Sequence, residues 1–101
     1  MYGTLNLLIL RPLDGGPTHG LGIKDAIADL TGGAIQVEVG ALYPALHRMH
    51  RDALVDAEWG QSDKGRRAKI YTLTEKGRVN LEAEMRAWRR HVEAVSAVVG
   101  N

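Results

Sequence analysis

Apolar and polar residues follow two different periods along the chain and divide it into helical and strand-like segments. Three segments repeat apolar residues every three or four positions and predict helices over Gly3–Arg11, His19–Leu30 and Gly40–Asp52. The pattern changes to alternation at Leu54–Trp59 and at Lys69–Leu73, which predicts the two strands of a hairpin. A helical period then returns, so the predicted order is three helices, a hairpin and a final helix.

The final helix is predicted over Glu75–Val99, with Thr74 as its N-cap and Glu75 at the positive end of its dipole. Its apolar residues lie 4, 3, 4, 3 and 4 positions apart, as in a seam that pairs two helices; they are Leu81, Met85, Trp88, Val92, Val95 and Val99. A domain of this size has little surface left to cover such a seam. We therefore expect a homodimer, in which Leu5, Leu8 and Ile9 also contact the partner. Packing of the seam on the first helix of the same chain is the alternative, and both arrangements can hold.

Breakers and caps set the expected boundaries between these elements. Pro12 ends or kinks the first helix, and residues 14–17 break the chain direction. Thr18 is the predicted N-cap of the second helix, and Ile35–Val39 alternates as a short extended piece would. Pro44 is expected in the first turn of the third helix, where its missing N–H costs little.

Composition limits the class of protein. A chain of 101 residues that is 45% hydrophobic fits one compact domain. The net charge is only +1, so any footprint of a nucleic-acid partner must be local. The absence of cysteine excludes disulfides and thiolate zinc sites and suits the cytoplasm. The apolar run Leu5–Leu10 is far shorter than the roughly 18 residues of a membrane span, so we expect a soluble cytoplasmic protein with no membrane partner.

The order of elements is that of a winged helix-turn-helix, a mainly α fold of the α+β class. We expect a DNA-binding unit over residues 1–74 and a long C-terminal dimerisation helix over residues 75–101. In such a fold the third helix enters the major groove of DNA and the hairpin contacts its flank.

The outward face of the third helix carries groups that suit DNA bases. We expect Tyr43, Pro44, His47 and Arg48 to read base edges, with Arg48 forking onto guanine, and Arg51 to contact phosphate. A merely solvated helix face explains these residues equally well when they are considered alone.

The loop of the predicted hairpin concentrates positive charge. Lys64, Arg66, Arg67 and Lys69 lie within six residues without an intervening acid and suit the DNA backbone or the minor groove. Basic loops without a function are common, but this loop follows a helix with the composition of a recognition helix, which favours DNA contact.

Other candidate chemistry is weak. His47 and His50 stand three residues apart, but no carboxylate stands at helical spacing beside them, so we expect no metal. No nucleophile–histidine–acid set or phosphate-binding glycine loop is apparent, so we expect no catalytic site, no cofactor and no enzyme. Asp56 and Glu58 are better interpreted as a solvated strand face than as an acid pair. Trp88 is first a packing anchor, and in a dimer it would also line a shared pocket for a small, flat aromatic effector.

Six stretches resemble the PadR family of bacterial transcriptional regulators, in its short form with one C-terminal helix. Together they run from about Gly3 to Trp88, and they are Gly3-Thr4-Leu5 with Leu8-Ile9-Leu10, His19-Gly20-Leu21-Gly22-Ile23, Gly40-Ala41-Leu42-Tyr43-Pro44-Ala45-Leu46-His47-Arg48, Ala57-Glu58-Trp59-Gly60, Gly65-Arg66-Arg67-Ala68-Lys69-Ile70-Tyr71 and Leu73-Thr74-Glu75-Lys76-Gly77-Arg78. The resemblance implies a homodimeric repressor of an inverted-repeat operator, released by a small molecule such as a phenolic acid or a drug. It places the family's reading helix at Gly40–Asp52 and its wing at Ser62–Ala68.

The sequence departs from the family pattern at two places. Leu21 stands where the family usually has tyrosine, and Met49–Leu54 replaces a Glu-rich ending of the third helix. Within that ending Ala53 stands where the family has a glycine, and a left-handed backbone there would cost alanine on the order of 1 kcal/mol.

A winged-helix adaptor that binds protein rather than DNA is the rival interpretation.

Overall fold

A computed structural model describes residues 2–62 and 64–100 and shows four helices with a small antiparallel sheet. The elements in chain order are α1 Tyr2–Leu13, β1 Thr18–His19, α2 Gly20–Leu30, α3 Val39–Arg51, β2 Val55–Gln61, β3 Arg67–Leu73 and α4 Glu75–Val99. The predicted winged helix with a long C-terminal helix is confirmed. Met1, Asp63 and Asn101, which belong to predicted segments, lie outside the described residues.

The core lies where α1, α2 and α3 meet the inner ends of β2 and β3. Its largest fully buried side chains are Ile9, Leu10, Ile23, Leu42, Leu46, Met49 and Val55. Leu42, Leu46 and Met49 form one stripe at helical spacing, and burial of that stripe fixes which side of α3 faces solvent.

The sheet has the order β1-β3-β2 and differs from the predicted one in its third strand. Residues 35–38 form no strand and Val39 begins α3, so the extended piece expected at Ile35–Val39 adds no strand to the sheet. The outer edge of β3 is already occupied, because Thr18 and His19 pair with Tyr71 and Ile70 there. The third strand is therefore supplied by the residues before α2, and β2 is the other edge strand of the sheet.

The N-cap of α2 lies one residue later than predicted. Thr18 is not the N-cap, because α2 begins at Gly20 and the residue directly before it is His19; the His19 Nδ1 accepts a hydrogen bond of 3.2 Å from the Gly22 backbone N–H. Pro44 was expected in the first turn of α3, but it is the sixth residue of a helix that begins at Val39. Pro44 has no N–H to donate to the Gly40 carbonyl. Gly40 is exposed, so water can donate to that carbonyl instead. Pro12 is the last residue but one of α1, close to the predicted end of that helix.

The hairpin is longer and its loop shorter than predicted. Pairing continues outward to Gln61 and Arg67, two residues beyond each predicted strand end. The Ser62 N–H then donates to the Arg66 carbonyl at 2.8 Å, and the Gly65 N–H donates to the Ser62 carbonyl at 2.9 Å. Gly65 has a φ of +75°, a left-handed conformation that permits a tight turn. The sequence had predicted a longer loop at this place.

The end of α3 has a left-handed residue at the position where the family has a glycine. Ala53 has a φ of +62°. Its N–H donates to the His50 carbonyl at 3.1 Å, and the Leu54 N–H donates to the Met49 carbonyl at 2.8 Å. These two bonds form a Schellman motif, with alanine where glycine is usual.

The start of α4 is fastened to that turn. Thr74 is the N-cap, as predicted, and its hydroxyl accepts from the Gly77 N–H at 2.9 Å and donates to the Ala53 carbonyl at 2.7 Å. A Cβ on Gly77 would collide with the Leu54 carbonyl oxygen, so this glycine permits α4 to approach β2.

Only the first part of α4 belongs to the protomer's core. Leu81 is 2% exposed and Met85 packs partly against the core, whereas nearly every residue from Arg86 to Gly100 is exposed. The molecule is correspondingly elongated, with extents of 49 × 29 × 23 Å. In the described part of the chain no helix has both the length and the hydropathy of a membrane span.

Candidate nucleic-acid interface

A groove of about 780 Å³ runs between α2, α3 and the hairpin. Its lining combines helix and hairpin side chains, and the members that bear on nucleic-acid binding are Tyr43, His47, Trp59, Lys64, Arg66, Arg67 and Lys69. The fold thus brings the two sequence-predicted clusters together only in part, with Tyr43 and His47 from α3 and all four cations from the basic loop at one cavity. Pro44, Arg48 and Arg51 of α3 do not line it. The open side of the groove presents cations together with aromatic and imidazole rings.

The predicted base-reading residues of α3 lie at different depths. Pro44 and His47 are exposed, and His47 lines the groove. Arg48 is half-buried on the same helix. Arg51, predicted to contact phosphate, is exposed one turn further along and lies 3.5 Å from the Asp52 carboxylate. An exposed pair of this kind is weak enough for a phosphate to displace the carboxylate.

Tyr43 also braces the fold. It is half-buried, and a Cβ on Gly20 would lie 2.7 Å from its Cε1 atom, so Gly20 provides the space for the ring. Burial, and secondarily the nearby Tyr43 hydroxyl, raise the pKa of Tyr71 on β3. The sequence reasoning missed this role, because it depends on which helix and strand the ring meets.

The hairpin presents its cations around an exposed tryptophan. Lys64, Arg66 and Arg67 are exposed and Lys69 is half-buried. Trp59 is 60% exposed, with the Arg67 guanidinium carbon 4.3 Å and the Lys69 Nζ 5.8 Å from its ring centroid. Trp59 was not among the sequence-predicted site residues. The signal was the strand register, since Trp59 pairs with Lys69 and therefore shares a face with it and with Arg67.

The α2 wall of the groove is acidic. Asp25 and Asp29 of α2 line the cavity that the four hairpin cations also line. A protein of nearly neutral net charge therefore separates its charge across one groove, with the positive side on the hairpin. The sequence reasoning did not assign these carboxylates.

The predicted dimer seam divides into a buried part and an exposed part. Ile9 and Leu81 are 0% and 2% exposed in the single chain, so their side chains have no surface left for a partner and belong to the protomer's core. Leu5, Leu8 and Met85 are partly buried against that core. The rest of the seam is exposed apolar surface along α4, namely Trp88, Val92, Val95 and Val99.

A second cavity, the α1–α4 cleft, has a volume of about 410 Å³ and Trp88 at its wall. The Trp88 and His91 rings lie 5.9 Å apart, and burial raises the pKa of the Glu84 carboxyl. The Asn80 Oδ1 atom is buried and has no hydrogen-bond partner among residues 2–62 and 64–100. The remaining lining residues are Thr4, Leu7, Ala83 and Ala87. The cleft thus offers an aromatic ring and polar acceptors.

Within the described ranges, no group of three or more His, Cys, Asp and Glu side chains is arranged to hold a metal ion. The cations that line the groove beside aromatic and imidazole rings suit the binding of a polyanion.

Comparisons with known proteins agree with this geometry. The model of the "Transcriptional regulator PadR-like family" matches residues 9–83. A PadR-like transcription factor of Bacteroides fragilis has a solved structure with 31% identity and a TM-score of 0.75, over 96% of this chain and 91% of that one. A PadR family transcription regulator of Clostridium difficile has 28% identity and a TM-score of 0.74, over 96% of this chain and 98% of that one. An uncharacterized protein of Lysinibacillus sphaericus is 25% identical over 93 residues, which are 92% of this chain and 85% of that protein.

Proposed function

The chain belongs to the PadR-like family of transcriptional regulators, which are not enzymes, and from that premise we propose that it is a cytoplasmic, homodimeric repressor that binds an inverted-repeat operator and is released by a small aromatic effector. Residues 1–74 form its DNA-binding unit and residues 75–101 its dimerisation helix, which α1 also contacts. The observation that carries the DNA-binding part is the shared groove of α3 and the hairpin.

DNA binds on the open side of that groove. The outer face of α3 enters the major groove, where Tyr43, Pro44, His47 and Arg48 contact base edges. Phosphates on the flanks are neutralised by cations, and these are Arg51, Lys64, Arg66, Arg67 and Lys69. The acidic wall at Asp25 and Asp29 repels phosphate, so DNA lies nearer to the hairpin than to α2.

Dimerisation covers the apolar surface that the protomer leaves on α4. Trp88 is 45% exposed and is followed by Val92, Val95 and Val99 at the spacing of a helix-pairing seam. An apolar stripe of this length on one exposed helix is the mark of a protein partner. A second copy supplies an identical stripe, and two copies present two α3 helices to successive major grooves.

The effector binds in the α1–α4 cleft. An aromatic ring stacks on Trp88, and a hydrogen-bond donor on the ligand satisfies the buried Asn80 Oδ1 atom. Because the cleft lies beside the dimer seam, a bound ligand alters the angle between subunits and so the spacing of the α3 helices. Repression ends when that spacing no longer fits the operator.

An electrophoretic shift with DNA from upstream of the protein's own gene tests this proposal. We expect a complex that survives excess mixed-sequence competitor, and a weaker one for the Arg66→Ala/Arg67→Ala variant. An adaptor that uses the winged fold for protein contacts would show no shift with any fragment, and wild type and variant would behave alike.

A further inference from the structure

The hairpin exposes a tryptophan, Trp59, to solvent. An exposed apolar ring contributes little to the stability of the fold, so another role has to account for it. Trp59 lies on β2 outside the core, and its face is covered by the guanidinium of Arg67 at 4.3 Å and approached by the ammonium of Lys69 at 5.8 Å. Both cations lie within about 6 Å, the distance at which an aromatic face attracts a positive charge. The ring therefore serves as a support for positive charge rather than as a packing residue.

The hairpin register holds this arrangement in place. Trp59 pairs directly with Lys69, and Arg67 follows two residues further out on the same strand and hence on the same face. That face is the outward continuation of the one that buries Val55 and Tyr71 in the core. The anchored inner end of the hairpin thus sets the direction of the ring, and the ring sets the direction of the guanidinium.

Arg67 and Arg66 differ in this respect although they are neighbours. Both are exposed and both line the groove, but Arg66 lies in the turn before β3, outside the register that places Arg67 and Lys69 on the face of Trp59. An unsupported arginine loses most of its side-chain freedom when it binds phosphate, whereas one already stacked on a ring has lost part of it beforehand.

We propose that Trp59 is a positioning residue for DNA binding: its indole holds the Arg67 guanidinium ready for phosphate in the α3–hairpin groove. This inference rests on the proposed DNA-binding function. The stacking of ring and guanidinium exists without DNA, so the two can be tested apart.

The first measurement needs no DNA. In proton NMR spectra of the free protein, the δ-methylene and ε-NH protons of Arg67 resonate upfield, because they lie over the indole face. We expect Trp59→Leu to abolish that shift and Trp59→Tyr to retain part of it, with thermal unfolding unchanged since the ring is exposed. Arg67 protons at ordinary positions in the wild type would overturn the proposal, whether or not the chain binds DNA.

The second measurement is a cycle of variants titrated with a mixed-sequence DNA duplex at low salt. Trp59→Leu is expected to weaken binding about two- to five-fold, because Arg67 must then lose its side-chain freedom on binding. The effect persists in an Arg66→Ala background, disappears in an Arg67→Ala background, and is largely rescued by Trp59→Tyr. An equal weakening in both backgrounds, or tighter binding by Trp59→Leu, would overturn the proposal. A wild type that binds no duplex would instead refute the proposed function, and the NMR result would still decide whether the ring holds the guanidinium.

Discussion

At the scale of single residues, Ala53 carries a backbone strain that a small change would remove. Its φ of +62° is unfavourable for any side chain with a Cβ, and the surrounding Schellman bonds hold it there. We expect Ala53→Gly to raise the free energy of unfolding by about 1 kcal/mol. Chemical denaturation measures this.

The matched control for that variant is Ala41→Gly, an exposed position near the start of α3. In ordinary helical geometry the same replacement costs about 1 kcal/mol or less, so the two variants should move the unfolding midpoint in opposite directions. A decrease in stability for Ala53→Gly would mean that residue 53 is not left-handed in solution.

Gly77 presents the reverse case. Alanine is the better helix former, but its Cβ would collide with the Leu54 carbonyl oxygen. We expect Gly77→Ala to lower the free energy of unfolding by about 1–2 kcal/mol despite its helix propensity, because the α4 start must move off β2. Gly40→Ala in α3, where a Cβ meets no neighbour within 4 Å, should be neutral or stabilising in the same denaturation series. Equal effects of the two changes would refute the close approach.

Residue-scale roles were predictable only where they are local. Thr74 as a cap follows from the residues around it, and left-handed Ala53 follows from the family's glycine. The support of Arg67 by Trp59 and the space that Gly20 leaves for Tyr43 depend on contacts between distant segments. Without a strand register or a helix packing, no sequence pattern specifies them.

At the scale of elements, α3 and the hairpin should contribute differently to binding. We expect Arg48→Ala to reduce the preference for operator over mixed-sequence DNA, because a fork on guanine distinguishes bases. We expect Arg67→Ala to weaken both duplexes alike, because a phosphate contact carries no sequence information. Fluorescence anisotropy with the two duplexes measures both effects, and the opposite pattern would exchange the two assignments.

The helices were predicted to within a few residues and the sheet less well. Helical periodicity is a local property, and the buried stripe of α3 shows it directly. Pairing of Thr18–His19 with β3 and the outward extension of β2 and β3 are long-range events. The alternation at Ile35–Val39 led to no strand for the same reason, since alternation alone does not specify a pairing partner.

At the scale of the whole molecule, the exposed half of α4 carries apolar surface that a single protomer leaves uncovered. We expect Trp88→Ala to weaken the dimer, because it removes the largest apolar side chain of the exposed seam. Sedimentation at micromolar concentration should show more monomer. Val98→Ala is the control, since Val98 is 86% exposed and lies off the seam. Unchanged sedimentation for Trp88→Ala would remove this residue from the interface.

The net charge of the whole molecule is only +1. Acidic side chains of α2 and basic side chains of the hairpin nevertheless line separate parts of one groove. The proposed affinity for DNA therefore rests on a few hairpin cations and not on the average charge of the protein. The dependence of binding on salt concentration tests this origin of the affinity, because salt competes with each cation for its phosphate.

The decisive measurement is the affinity for an upstream DNA duplex across a salt series, for the wild type and for Arg66→Ala/Arg67→Ala. Each neutralised phosphate contributes a slope of roughly 0.9 to the plot of log affinity against log salt concentration. We predict a steep negative slope for the wild type and a clearly shallower one for the variant, by about 0.9 for each phosphate that the variant no longer neutralises. Identical slopes, or wild-type binding that salt leaves unchanged, would contradict the assignment of DNA affinity to the hairpin cations.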